Sequence, residues 1–201
     1  MTQGPDAVAI EPIAASLGAT KGSGYWHFAS RRELLESALA AWTTSATDDV
    51  ITALDEAGGT PVERMSRLLA WVRPAAERSP AEMLLMGSAD PSVRAAVAVA
   101  MTRRLACLER LLIEAGLPRS EARTRAVLAY SAYLGFAMLA TASPDVLTKR
   151  PVDRRRIQRA MLELTAVAGA STGVVRAVGP APLADPPGRV VVVGREAELP
   201  G

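Results

Sequence analysis

The sequence predicts an all-α protein built from a small N-terminal head and a larger helical body. Apolar residues recur at spacings of three and four along most of residues 10–168, which is the pattern of amphipathic helices. Pro and Gly occur between these periodic segments, as at Gly58-Gly59, Asp90-Pro91 and Gly116 to Pro118, where helices are expected to stop and start. Of the 201 residues, 49% are hydrophobic and 22% are charged, so the chain can bury a sizeable core and is not disordered throughout.

The first element is a short helix followed by a tight turn. Ile10, Ile13, Ala14 and Leu17 form an apolar stripe at helical spacing, which predicts a helix that packs through this face. Gly18 follows the stripe and can adopt the positive φ that ends a helix. The turn is therefore predicted at residues 18–19.

A second short helix follows, with Thr20 as its N-cap. Tyr25 and Phe28 are three residues apart and are expected to share one face and dock inward. The opposite, outward face is then made of the following residues: Thr20, Lys21, Gly22, Ser23, Trp26 and His27. A helix of about eight residues needs tertiary packing to be stable, so it should lie against the first helix.

The chemistry of this outward face favours double-stranded DNA as the partner. Short hydroxyl side chains and a lysine can reach base edges in the major groove, and Gly22 lets the backbone approach closely. Tyr25, His27 and Arg31 can donate hydrogen bonds to phosphates. The stretch from residue 12 to residue 32 contains no acidic residue that would repel the DNA backbone. Burial of the aromatic cluster in a core is the alternative.

Capping signals predict the remaining helices. Ser30 and Glu33 form a capping box that opens a long helix ending near Gly58, and Thr60 and Glu63 repeat the device. Later helices are predicted to open at Asp90-Pro91, Leu117-Pro118 and Val152 and to end near Gly116, Ala142 and Ala168. Residues 169–201 are rich in Gly and Pro and are predicted to form a flexible tail.

Residues 13–28, followed by Ser30-Arg31-Arg32-Glu33-Leu34-Leu35, resemble the helix-turn-helix and the next helix of TetR/AcrR-type transcriptional regulators. The resemblance is strong over residues 4–42 and continues beyond them in layout only. It implies a helix-turn-helix from Ala9 to Phe28 within a DNA-binding head of residues 1–45. It further implies a regulatory and dimerisation domain of residues 46–168 and a cytoplasmic homodimer that binds operator DNA and is released by a small apolar effector.

Three positions depart from the pattern of this family. A full helix normally precedes Gly4, whereas only Met1-Thr2-Gln3 stand before it here, so the head is expected to lack its first helix. Ala9 stands where a Thr or Ser commonly caps the first motif helix. Gly24 stands where the family usually has a large apolar residue, which costs about 1 kcal/mol of helix stability relative to Ala and is expected to leave packing unfilled.

Two further residue sets follow from the expected layout. The residues that could line an effector pocket are Met65, Trp71, Met83, Leu84, Met86, Tyr130 and Tyr133, although core packing explains them equally well. The residues that could form a dimer face are Val127, Tyr130, Leu134, Ala137, Met138, Ile157, Met161 and Leu164. Packing within one subunit is the alternative for the second set.

Other functions find less support in the residues. A single Cys (Cys107) excludes an internal disulfide, and a single His (His27) excludes a multi-histidine metal site. The sequence also offers no nucleophile–base or paired-carboxylate arrangement that would indicate an enzyme. No catalytic residue, metal ligand or cofactor is therefore predicted. The basic run 149–159, with six cations against one acid, is either a solvated surface or a second nucleic-acid contact.

The sequence also bears on the cellular location of the protein and on two alternative functions. The chain starts without a secretory signal, which favours the cytoplasm, and the uncharged stretch 126–144 is interpreted as a buried helix rather than a membrane span. One rival is a TetR-like dimer that binds a small molecule but no longer binds DNA because its head is truncated. The other rival is a small helical enzyme.

Overall fold

The computed structural model describes residues 5, 8–78, 81–143, 145, 156, 160 and 163. Every regular element in this part of the chain is helical, which confirms the predicted fold class. In chain order the elements are α1 (Ile10–Ser16), α2 (Lys21–His27), α3 (Arg31–Thr43), a π turn (Thr44–Asp48), α4 (Asp49–Glu56), α5 (Pro61–Arg78), α6 (Ala81–Met86), α7 (Pro91–Glu114) and α8 (Arg119–Ala142). The start Met1-Thr2-Gln3, the tail 169–201 and most of the predicted helix 152–168, including Ile157, Met161 and Leu164, lie outside the described residues.

The predicted caps are confirmed by their hydrogen bonds. Ser30 Oγ accepts the backbone N–H of Glu33 at 3.2 Å, and Asp90 Oδ1 accepts that of Ser92 at 2.8 Å. The Thr60–Glu63 pair is reciprocal, because Glu63 Oε2 accepts the Thr60 N–H at 2.8 Å and Thr60 Oγ1 accepts the Glu63 N–H at 3.3 Å. Local side-chain chemistry therefore fixes where α3, α5 and α7 begin.

The helix predicted from residue 31 to near Gly58 is continuous but not uniform. It consists of α3, the π turn and α4, and it ends at Glu56; we call residues 31–56 the rod. A π turn widens an α-helix by one residue, and such turns occur often at functional sites. Thr47, inside the π turn, is only 1% exposed, so this side of the widened turn lies against the protein.

The rod packs against two separate apolar clusters. Upstream of the π turn it contributes to the junction core, which consists of Leu35, Leu39, Val93 and Val97. Downstream it contributes Leu54 to the main core, whose other buried members are Met65, Leu69, Cys107, Leu108, Leu111, Leu112, Leu117, Ala122, Ala126 and Tyr130. α7 supplies residues to both clusters, so α7 is the element that joins the α3 end of the rod to the rest of the bundle.

α8 packs on α7 through a stripe of small residues and leaves an apolar outer face. Its buried residues are Ala122, Ala126, Ala129, Tyr130 and Ala137. Its exposed large apolar residues are Val127, Leu128, Met138 and Leu139. By length and composition alone α8 could also cross a membrane, a test that packed helices of soluble proteins pass as well.

Candidate nucleic-acid interface

The turn between α1 and α2 is closed by two backbone hydrogen bonds. Ala19 N–H donates to Ala14 C=O at 2.9 Å, and Gly18 N–H donates to Ala15 C=O at 3.1 Å. This is the Schellman pattern, and Gly18 has the positive φ of 69° that the pattern needs. Thr20 Oγ1 then accepts the Ser23 N–H at 3.1 Å and caps α2. The predicted helix, turn and helix are therefore confirmed.

α1 and α2 make their closest contact at Gly24. A Cβ atom placed on Gly24 would lie 2.8 Å from Ile10 Cγ2 and 3.3 Å from Ala14 Cβ. Ile10 and Ala14 are each 5% exposed. The expectation that Gly24 leaves packing unfilled is thus wrong, because α1 itself occupies the space that a larger side chain would need.

Two expectations about inward-facing side chains are also wrong. In α1 only Ile10 and Ala14 of the apolar stripe are buried, whereas Ile13 is 37% exposed and Leu17 is 69% exposed. Tyr25 does not dock inward; it is 46% exposed, and its ring centroid lies 5.9 Å from Lys21 Nζ. The reason is the crossing at Gly24, which turns the narrow glycine side of α2 towards α1.

None of the residues of α2 is buried. We use the name recognition surface for Thr20, Lys21, Gly22, Ser23, Trp26 and His27, all of which are exposed. Trp26 is 82% exposed, and its ring meets that of His27 edge to face with centroids 4.8 Å apart. A Cβ on Gly22 would have only Thr20 Oγ1 within 4 Å, at 3.9 Å, so the α2 backbone is accessible there. The exposure that DNA binding requires is therefore present.

The lysine of the recognition surface is paired with an acid from α1. Lys21 Nζ lies 2.5 Å from Glu11 Oε1, and both side chains are more than half exposed. The hydrogen bond to Glu11 raises the pKa of Lys21, so the ammonium is kept charged. Sequence reasoning missed Glu11 because it lies one residue before the acid-free stretch and no helical spacing relates it to Lys21 across the turn.

Arg31 is bound to the chain that precedes α1. Its Nε donates to Val8 C=O at 2.8 Å and its Nη2 donates to Pro5 C=O at 3.0 Å. These bonds tie the first turn of α3 to the segment before the helix-turn-helix, and phosphate contact by Arg31 stays a prediction. The next residue, Arg32, has a side chain that is 80% exposed and pairs with Glu36 at 2.7 Å. Arg32 was not among the residues predicted to contact DNA.

The predicted effector residues divide between the two cores. Met65 and Tyr130 belong to the main core, while Trp71 and Tyr133 pack against it. Met86 packs against the junction core instead, and Met83 is half-buried and Leu84 36% exposed in α6. A groove of about 460 Å³ lies between α3 and α7, and none of these seven residues lines it. Whether the set forms a pocket stays a prediction.

Some described members of the predicted dimer face are exposed, and others are buried within the subunit. Val127 and Met138 are 41% and 60% exposed on the outer side of α8. Tyr130 is buried in the main core, Leu134 packs against that core, and Ala137 is 3% exposed. The outward side of α8 therefore carries Val127 and Met138, and the exposed Leu128 and Leu139 beside them were not predicted.

The comparison with family models agrees with this geometry. Residues 1–38 match the model described as bacterial regulatory proteins, tetR family. No curated protein and no solved structure gives a significant match to the chain. Members of this family are regulators rather than enzymes. The matched segment spans α1, the turn, α2 and the start of α3, and this match supports a transcriptional regulator whose helix-turn-helix is of the TetR-family type.

Proposed function

We propose that this protein is a ligand-released repressor that acts in the cytoplasm as a homodimer on operator DNA. The observation that carries the proposal is the recognition surface: it lies on the family-matched helix-turn-helix, and none of the residues of α2 is buried. Its hydroxyls, its lysine and its two hydrogen-bonding rings are groups that reach base edges and phosphates in a major groove.

A dimer would place two copies of α2 in successive major grooves, about 34–36 Å apart for half-sites one helical turn apart. The outer face of α8 supports this assembly. Val127, Leu128, Met138 and Leu139 are between 41% and 60% exposed and recur on one side of the helix at spacings of 11 residues. Four-helix packing across a two-fold axis would remove this apolar face from water.

An effector that binds in the body is supported by the surroundings of Trp71. Its indole Nε1–H is buried and has no hydrogen-bond acceptor among the residues that the structure describes. A buried donor without an acceptor costs roughly 1–3 kcal/mol, so a ligand oxygen that accepted this N–H would be favoured there. The ligand would release DNA only to the extent that it binds the released conformation more tightly.

Selection of binding sites from a random duplex library tests the proposal. The wild-type protein should enrich a two-fold symmetric site, and W26A and K21Q should weaken binding to that site at least tenfold. R123Q is the matched control, because Arg123 pairs with Glu109 on the α7–α8 surface, away from the recognition surface. Failure of the wild-type protein to enrich any sequence would contradict the proposed repressor function. It would favour the alternative of a dimer that binds only a small molecule.

A further inference from the structure

Arg104, in the middle of α7, holds the π turn of the rod. Its Nε donates to Thr47 Oγ1 at 3.0 Å and its Nη2 donates to Ala46 C=O at 3.2 Å. Both acceptors belong to the π turn and lie more than 55 positions from Arg104 in the sequence. A guanidinium presents several donors in a fixed plane, so the two bonds fix both the position and the rotation of the widened turn.

The same guanidinium also reaches the rod upstream of the π turn and the helix α8. Its central carbon lies 5.6 Å from the centre of the Trp42 ring, and Trp42 packs against the junction core. Its Nη1 donates to the hydroxyl of Tyr130 at 3.3 Å, and Tyr130 is buried in the main core. One side chain thus contacts α3, the π turn and α8.

We propose that Arg104 is the positioning residue through which the body sets the orientation of the DNA-binding helices. The π turn divides the rod between the junction core and the main core, and Arg104 contacts residues on both sides of that division. A displacement of α8 at Tyr130 changes the Arg104 bond there and, through the rigid guanidinium, the bonds to Thr47 and Ala46. The inference deepens the proposed function and rests on it for the DNA readout, because the recognition surface on α2 is joined to the rod at the start of α3.

Conservative variants separate this role from simple stabilisation. Tyr130→Phe deletes only the hydroxyl on α8, and Thr47→Val deletes only the hydroxyl in the π turn; R104Q removes the guanidinium. R123Q is again the matched control, since it removes an arginine that joins α7 and α8 without touching the rod. Two quantities are measured for each variant: amide hydrogen exchange at residues 44–51, and affinity for the DNA site selected by the wild-type protein.

We expect Y130F to accelerate exchange at residues 44–51 about fivefold, as the loss of one net hydrogen bond implies. It should also weaken DNA binding at least threefold, whereas R123Q should change neither quantity. In the R104Q background Y130F should have no further effect, since its influence passes through Arg104. If R104Q fails to fold, the double variant Y130F/T47V is measured instead. Effects of the two substitutions that do not add would likewise show that the influence of Tyr130 passes through Arg104.

The idea is overturned if Y130F leaves exchange at residues 44–51 at the R123Q level, or if the effects of Y130F and T47V simply add. The two readouts also separate this idea from the proposed function. If the wild-type protein selects no DNA sequence, the repressor proposal fails, while the exchange of residues 44–51 still decides whether Arg104 links α8 to the rod.

Discussion

Gly24 in α2 lies directly against Ile10 in α1, so closely that a methyl group on Gly24 would meet Ile10 Cγ2 at 2.8 Å. Ile10 Cγ2 is attached to a β-carbon and cannot swing aside as the end of a long side chain could. The glycine therefore sets the distance between the two helices of the DNA-binding motif. This contact replaces the interlocking of large side chains that a bigger residue at position 24 would provide.

The first prediction compares two glycines in the same helix. Gly24→Ala should lower stability by about 1 kcal/mol, because an overpacking cost of about 1–3 kcal/mol exceeds the gain in helix propensity. Gly22→Ala should raise stability by about 0.5 kcal/mol, since a Cβ there would make only an ordinary contact, 3.9 Å from Thr20 Oγ1. Thermal unfolding measures both changes. Stabilisation of the protein by G24A would show that the helices do not cross as closely as described.

The second prediction concerns the ion pair between Glu11 and Lys21. Glu11→Gln should tighten DNA binding about threefold or more at low salt, because it removes a carboxylate beside the phosphates and leaves Lys21 available to them. The plot of log affinity against log salt should steepen by up to about one unit. Glu121→Gln is the control, as Glu121 forms a similar exposed pair with Arg125 on α8. Weaker binding by E11Q would mean that Glu11 orients the lysine instead.

The third prediction is a pH dependence. The backbone N–H and hydroxyl of Thr60 lower the pKa of Glu63 below its usual value near 4.5. A lowered pKa in the folded state means that the capping box stabilises α5 above pH 4.5 and that this contribution disappears as the pH falls through the folded-state pKa. The melting temperature of the wild-type protein should therefore approach that of Glu63→Gln between pH 6 and pH 3.

A control shows whether that convergence belongs to the capping box. Glu56→Gln removes an exposed carboxylate at the end of α4, and the same pH series then reports the general effect of losing one negative charge. A gap between wild type and E63Q that stays constant down to pH 3 would contradict the role of the Thr60–Glu63 bonds.

The fourth prediction concerns the outer face of α8. Met138→Glu should convert the proposed dimer into a monomer in sedimentation experiments, because a charge would be buried in an apolar interface. Val62→Glu is the matched control: Val62 is 39% exposed on α5, outside this face. Dimers that survive M138E with unchanged affinity would place the interface elsewhere.

Local signals explain what could be predicted from the sequence. The helix starts at Ser30, Thr60 and Asp90 depend on hydrogen bonds between residues two or three positions apart, and all three were predicted correctly. α6 was missed because its six residues are too few to show a helical period. The turn at Gly18 was predicted because a positive φ needs a particular residue type.

Contacts between distant residues explain what could not be predicted. The segment Thr44–Asp48 has no composition that marks a π turn, and the Arg104 bonds that hold it come from 57 and 58 positions away. Glu11 meets Lys21 only because the turn folds α1 back on α2. The exposure of Tyr25 likewise depends on which side of α2 faces α1. The contact at Gly24 determines that side, and the spacing of apolar residues in the sequence does not reveal it.

The π turn also determines how the helices upstream of it are rotated relative to the body of the protein. Each residue advances an α-helix by about 100°, so the extra residue of the widened turn rotates everything upstream of it by nearly a third of a revolution about the helix axis. Deleting a single residue between Thr44 and Asp48 would remove no residue from either apolar cluster. It would nevertheless turn the two motif helices towards a different side of the subunit, and in the proposed dimer both copies of α2 would then no longer face successive major grooves.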